Sequence, residues 1–404
     1  MWTAAVLALV LAWQGNPYND GLKALDEKRY EAAVEDFTKA IAADTSDYTA
    51  HFNLALAYGM LRKDIEAIAE YRKTLELKAG LYQAQLNLGM LLVRNGRGGE
   101  AAPLLAAAVA QKPAEFRPHY LLGEALLGEK QPAEAEKSFQ AALAITANSA
   151  AAELGLARAL AQQNRLAEAA PHFQKAAELD PKYNDALLEL AGLYEAARQY
   201  PEAAALYTKF PDDPGAREHL ATMLLAGGKT ADSVKEFEAV VAKSPTPANR
   251  AALADAYVLN KQPDKAQPLV EQLLLEDPNN YQIILMYARI LRDQRKFQPA
   301  AQEFYKALKI KPDVAETWSD LAGVLVLVDD YGNAMAALDR VRALHGEKPG
   351  HVYLRAIIYD KVRQLKPALA SYKQFLEEAG GKYPDEEFKA RQRARIIQTE
   401  LNRR

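Results

Sequence analysis

A period of 34 residues runs through most of this 404-residue chain and decides what it can fold into. A small residue among large apolar ones recurs at Gly21, Ala55, Gly89, Gly123, Ala157, Ala191, Ala221, Ala254, Ala288, Ala322 and Ala356. The spacing is 34 throughout, except for one step of 30 after Ala191 and one of 33 after Ala221. Twelve residues beyond each anchor stands Ala33, Ala67, Ala101, Ala135, Ala169, Ala203, Ser233, Ala266, Ala300, Ala334 or Ala368. Four further on comes a large apolar side chain: Phe37, Tyr71, Leu105, Phe139, Phe173, Tyr207, Phe237, Val270, Phe304, Leu338 or Tyr372. Eleven repeats keep all three columns, so the usual scale of about 150 residues per domain does not apply.

Within a repeat the apolar residues fall at helical spacing, as in Phe52, Leu54, Ala55 and Tyr58, then Ile65, Ile68 and Tyr71. Two amphipathic helices and a short turn fit into 34 residues. The small residues let the paired helices approach, and the large residue one turn on fills the space between neighbouring repeats. Proline use points the same way. Pro103, Pro132, Pro171, Pro201, Pro263, Pro268, Pro299 and Pro367 lie in or just before the first turn of a second helix, where a missing N–H is tolerated. The other prolines are expected at junctions between repeats or at the chain ends, with none inside a first helix. Only an all-helical stack accommodates both facts.

Composition narrows the function. Half the residues are apolar and a quarter are charged, which suits a large core rather than a disordered chain. Fifty Lys and Arg against 53 Asp and Glu leave a charge of −3, which argues against an electrostatic nucleic-acid binder. There is no cysteine, which removes disulfides, thiolate chemistry and Cys-based zinc sites. No metal, cofactor or catalytic site is expected. The six histidines are scattered, no HExxH occurs, and His345, Glu347 and His351 in one loop are too sparse a set for a metal. Gly96-Arg97-Gly98-Gly99 joins two helices and lacks the Lys-Ser/Thr of a phosphate loop.

Residues 1–15 begin with the apolar run MWTAAVLALVLAW, the length of a secretory core and too short to span a bilayer. They read as an export signal, with Val10-Leu11-Ala12 as the small-residue cleavage site, although no Lys or Arg precedes the apolar run. The expected location is therefore periplasmic or secreted, and cytoplasmic if the segment is instead a hydrophobic cap. Repeats one to six occupy 16–213 and repeats seven to eleven occupy 214–382. Residues 383–404 form a C-terminal capping helix, with Asp385, Glu386 and Glu387 near its start and Arg403 and Arg404 at its end.

The motifs NLALAY at 53–58, EAIAEYRKTLEL at 66–77 and LLELAGLYEAARQYPEAAALY at 187–207 resemble the tetratricopeptide repeat family. AELDP at 177–181 and KIKPD at 309–313 match that family's closing turn. The resemblance implies an all-α, right-handed superhelical solenoid of about eleven repeats. It also implies that the first helix of each repeat lines a concave groove that takes an extended peptide or a partner helix. On that geometry the groove of repeats two to four shows Phe52, Asn53, Leu56, Met60, Leu86, Asn87, Met90 and Tyr120. An asparagine amide can bond both the N–H and the C=O of a peptide, while methionine offers adaptable apolar contact. In chaperone-binding members such asparagines work with basic residues that clamp a carboxylate. Here the flanking positions are apolar apart from Arg94 and Arg117, a departure from that clamp. In repeats eight to eleven the inner face carries Asp255, Arg289, Arg292, Glu316, Asp320 and Asp360 instead. A non-catalytic scaffold that binds other proteins is the expected function. The alternative is a structural, self-associating array; an RNA-binding repeat is disfavoured by the 34-residue spacing, the alanine columns and the charge.

Overall fold

The computed structural model describes residues 16–403. The segment 1–15, read above as an export signal, lies outside the described residues. Among those residues there are 23 α-helices and no strand. The first half holds α1 (Pro17–Asp26), α2 (Tyr30–Ala43), α3 (Tyr48–Met60), α4 (Asp64–Leu77), α5 (Tyr82–Arg94), α6 (Gly98–Gln111), α7 (Phe116–Gly128), α8 (Pro132–Ile145), α9 (Ala150–Gln162), α10 (Leu166–Leu179), α11 (Asp185–Ala196) and α12 (Tyr200–Tyr207). The second holds α13 (Pro214–Ala226), α14 (Thr230–Lys243), α15 (Pro247–Leu259), α16 (Pro263–Glu276), α17 (Tyr281–Asp293), α18 (Phe297–Ile310), α19 (Ala315–Leu327), α20 (Tyr331–Ala343), α21 (Pro349–Lys361), α22 (Leu365–Ala379) and α23 (Pro384–Asn402). Odd-numbered helices up to α21 are first helices of their repeats, even-numbered ones are second helices, and α23 closes the chain.

Local chemistry sets the helix ends. Asp47, Ser149, Asp213, Thr246 and Asn280 precede first helices and accept hydrogen bonds from their leading N–H groups. The turn after each first helix contains one left-handed residue. These residues are Lys28, Arg62, Gly96, Lys130, Asn164, Arg198, Gly228, Lys261, Arg295, Asp329 and Arg363. The residue after it then donates back to the helix, as Lys63 does to Tyr58 O at 3.0 Å and Gln131 does to Leu126 O at 2.9 Å.

The three sequence columns are the core. All eleven residues of the alanine–serine column have 0% of their surface exposed. Ser233 fits there because its hydroxyl donates to Ala221 O at 2.7 Å. The large-residue column is buried in every repeat. A Cβ built on Gly123 would meet the Phe139 ring at 2.7 Å, and one on Gly155 would meet the same ring closer still. Phe139 is thus wedged between the first helices of repeats four and five, and only glycine fits opposite it.

Proline placement differs from expectation in two respects. Pro118 is buried as the third residue of α7, inside a first helix, where its N–H would have had no helical partner. Pro103, Pro171 and Pro268 lie at the sixth residue of α6, α10 and α16, one turn deeper than the free N–H groups reach. Those helices continue through them.

The chain divides into two compact bodies, one ending at Leu206 and the other running from Tyr207. The division falls on α12, which has eight residues where the other second helices have 13 to 15. That is where the period loses four residues. At the end of the second body, α23 buries Ala390, Ala394 and Ile397 against α22, while Phe388 and Ile396 stay exposed. Arg393 of α23 binds Asp360 of α21, its Nη2 donating to Oδ1 at 2.7 Å. No described helix is long and apolar enough to cross a membrane.

Candidate functional site

In the first body, α3 and α5 border a cleft of about 470 Å³. Leu56, Met60, Asn87 and Met90, four of the residues expected from the sequence, line it together. Gly59, Arg62, Tyr71, Leu91, Arg94 and Arg117 complete the lining. The small Gly59, on the inner side of α3, leaves the space open: a Cβ there would touch nothing within 4 Å. Met60 is 52% exposed, an apolar side chain offered to the cleft.

The asparagines are held in place by tyrosines. Asn87 Nδ2 donates to Tyr71 Oη, and Asn53 Nδ2 donates to Tyr18 Oη, each at 3.1 Å. Each amide is thereby oriented, and no described residue takes its carbonyl oxygen. Burial pushes the Tyr71 hydroxyl up to about 12, partly offset by the bond from Asn87, so at neutral pH it keeps a proton to donate. Phe52 packs edge-on to Tyr71 at 5.5 Å and supports the cleft rather than lining it.

Three more expected groove residues do not line the cleft: Asn53, which is bonded to Tyr18, Leu86 and Tyr120. Leu86 is 7% exposed and belongs to the core with Leu105 and Leu121. It stands three residues before its anchor, as Phe52 does, but its shorter side chain is covered. Tyr120 stacks on Phe116 at 5.7 Å and leans on Phe139 at 6.0 Å, a half-buried residue outside the cleft. Sequence reasoning missed Tyr71 because its column reads as core filler. The signal available was a tyrosine where most repeats carry a residue without a hydroxyl.

The rim is basic. Arg94 Nε donates to Asp64 Oδ2 at 2.7 Å, and Asn95 Nδ2 donates to the same oxygen at 3.0 Å. Burial opposes the charge on Asp64, yet these bonds outweigh it and hold its carboxyl below the usual range. The Arg117 guanidinium rests on the Met90 sulfur at 2.8 Å. Neither Arg117 nor Arg62 forms an ion pair with a described carboxylate, although the Arg62 charge also helps to lower the Asp64 carboxyl, and both guanidinium groups line the cleft.

In the second body four of the expected inner-face residues, Arg289, Arg292, Glu316 and Asp320, form one ionic network, while Asp360 pairs with Arg393 and Asp255 stands outside it. Arg289 Nε donates to Asp320 Oδ2 at 2.9 Å, and its Nη2 donates to Glu316 Oε1 at 3.1 Å. Arg292 Nη1 donates to Asp320 Oδ1 at 3.1 Å and its Nε donates to Asp293 Oδ1 at 3.0 Å. Both arginines are therefore engaged by their own chain. Of the sparse histidine set, His351 uses both ring nitrogens, accepting from Lys348 N at 2.9 Å and contacting Ser319 Oγ at 2.7 Å. Glu347 is held by Arg342 and Arg355.

Comparisons with known proteins bear on this arrangement. Sequence profiles described as the tetratricopeptide repeat match residues 18–81, 86–153, 154–216 and 224–290. Protein O-mannosyl-transferase TMTC1 of Homo sapiens is 28% identical over 165 residues, 39% of this chain. The match spans 18% of that protein's length. Among solved structures, a MamA from Desulfovibrio magneticus RS-1 (residues 41 to the end) is 24% identical, with a TM-score of 0.39. The likeness covers 41% of this chain and 94% of that one. MamA of AMB-1 is 27% identical with a TM-score of 0.39, over 42% of this chain and 99% of that one. With the profiles covering most of the repeats whose columns are described above, the chain belongs to the tetratricopeptide repeat family, a class of protein-interaction scaffold.

Proposed function

We propose that this protein is a non-catalytic scaffold that holds a peptide or helix of a partner protein in the cleft of α3 and α5. The observation that carries the reading is the pairing of an apolar floor with oriented, half-satisfied polar groups. Leu56, Met60 and Met90 receive an apolar side chain. The free carbonyl oxygen of Asn87 accepts an N–H group of the partner backbone, Asn53 on α3 offers a further acceptor outside the cleft lining, and the Tyr71 hydroxyl donates to a carbonyl. Arg62 and Arg117 at the mouth favour a partner with a carboxylate near its apolar anchor. The test is crosslinking and recovery from native cells, comparing the intact protein with Asn53→Ala plus Asn87→Ala, after circular dichroism confirms equal helix content. The reading expects a discrete partner that the double variant loses; recovery of the same partners by both proteins overturns it.

The scaffold is assigned to the cell envelope on the strength of residues 1–15, whose apolar run has the length of an export signal. N-terminal sequencing of the protein from fractionated cells tests this. A chain that starts after the apolar run supports export, and one that retains Met1 in the cytoplasmic fraction refutes it. A second reading, self-association, draws on Phe388 and Ile396, which are 61% and 53% exposed on α23. Sedimentation of the purified protein separates the two, since the scaffold reading needs no mass above that of one chain.

A further inference from the structure

The second compact body contains a cavity of about 370 Å³ between α15 and α17. A single water takes up about 30 Å³, so this space accommodates a whole side chain. Its origin lies in one sequence position. Three residues before the anchor, repeats one to six carry Tyr18, Phe52, Leu86, Tyr120, Leu154 and Leu188, whereas repeat eight carries Ala251. Most repeats place a large side chain here, Ser319 of repeat ten being the other small one, and at Ala251 the gap is walled by Val258, Leu285 and Met286.

Asp255 and Arg289 are the charged members of the lining. Arg289 is turned to Asp320 and Glu316, and Arg292 to Asp320 and Asp293, as described above. Counting these groups, four carboxylates (Asp255, Asp293, Glu316 and Asp320) face two guanidinium groups, an excess of two negative charges. Asp255 accepts no hydrogen bond from a described residue. Asp255 is exposed at the mouth of the open cavity, and partial desolvation by the neighbouring atoms pushes its pKa up, against the pull of Arg289.

The same charges recur in the first body beside a large ring. Glu124, Arg158 and Glu189 repeat the 34- and 31-residue spacing of Asp255, Arg289 and Asp320, and Arg158 Nε donates to Glu189 Oε1 at 3.0 Å. There Tyr120 stands at the position of Ala251, beside Glu124. The gap next to the acidic residue is thus particular to repeat eight.

We infer that this cavity is a docking site for a lysine side chain presented by a partner segment. A lysine stem is apolar and its head is charged. The methylenes lie on Val258, Leu285 and Met286, and the ammonium donates to Asp255, whose carboxylate has no hydrogen-bond donor among the described residues. The site is independent of the cleft between α3 and α5, and its charge preference is opposite. The protein therefore offers inner-face sites of both signs, one in each compact body.

The test is a fluorescence anisotropy titration of a dye-labelled heptapeptide of glycine and serine around one central lysine, with the full chain raised to millimolar concentration. A second peptide carries norleucine in place of lysine, which keeps the stem and lacks the ammonium. Saturable binding of the lysine peptide is expected, weakened about 10-fold or more by norleucine and by Asp255→Asn, since a charge-assisted hydrogen bond is lost in each. Ala251→Tyr restores the side chain seen in repeats one and four and is expected to abolish binding at unchanged helical circular dichroism. Asn53→Ala plus Asn87→Ala is expected to leave this binding intact, which separates the site from the first cleft. Absence of saturable binding, equal affinity for the two peptides, or full binding by Ala251→Tyr or by Asp255→Asn would overturn the inference. Loss of binding in the asparagine variant would do so as well.

Discussion

At Phe139 a single ring fixes what two other positions can be. Gly123 and Gly155 both face it so closely that a methyl group on either must displace the ring. Gly123→Ala should cost about 1–3 kcal/mol through overpacking, read as a lower midpoint in urea denaturation. His351 makes a second prediction. Burial lowers its pKa from the ordinary 6.5, Glu347 opposes the shift, and Lys348 and Arg355 add to it. The folded state therefore binds the proton less readily than the unfolded one. Its contribution is present above pH 6.5 and is lost as the pH falls below that value. The melting temperature should drop between pH 7 and 5.5, and by less in His351→Gln.

Each first helix ends on a left-handed residue, and in only two of the eleven repeats, at Gly96 and Gly228, is it glycine. Other residues adopt that conformation at a cost. Lys130→Gly and Arg198→Gly should each stabilise the protein by about 1 kcal/mol, and Gly96→Ala should destabilise it similarly, measured by thermal melts. This regularity was hidden in the sequence because lysine and arginine carry no turn signal, whereas the alanine column was visible because close packing admits little else. The proline reading failed for a related reason. Pro118 satisfies the helix-start rule at the third residue, while Pro103, Pro171 and Pro268 lie where only the surrounding packing sustains the helix. At the cleft, Asn87, Leu56, Met60 and Met90 were legible because inner-face positions follow from the period. Tyr71 and Gly59 were not, since one belongs to a core column and the other acts by the side chain it lacks.

Across the whole chain, each compact body has its own buried clusters. A chain cut within residues 208–213 should yield two fragments that each retain helical circular dichroism. Urea unfolding of the intact protein should broaden beyond a single two-state transition, because repeat arrays lose cooperativity with length. Coincident, sharp transitions by fluorescence and circular dichroism would contradict this. The wedge at Phe139 has a further consequence for how such a chain changes over time. Its repeats share a period but are not interchangeable parts. Excising repeat five would bring repeat six against repeat four, and Glu189 would then take the place of Gly155 opposite the ring. A carboxylate would be driven into a space that accepts not even a methyl group. Loss or duplication of one repeat is therefore tolerated only at junctions whose facing residues agree, and the order of repeats is itself inherited information.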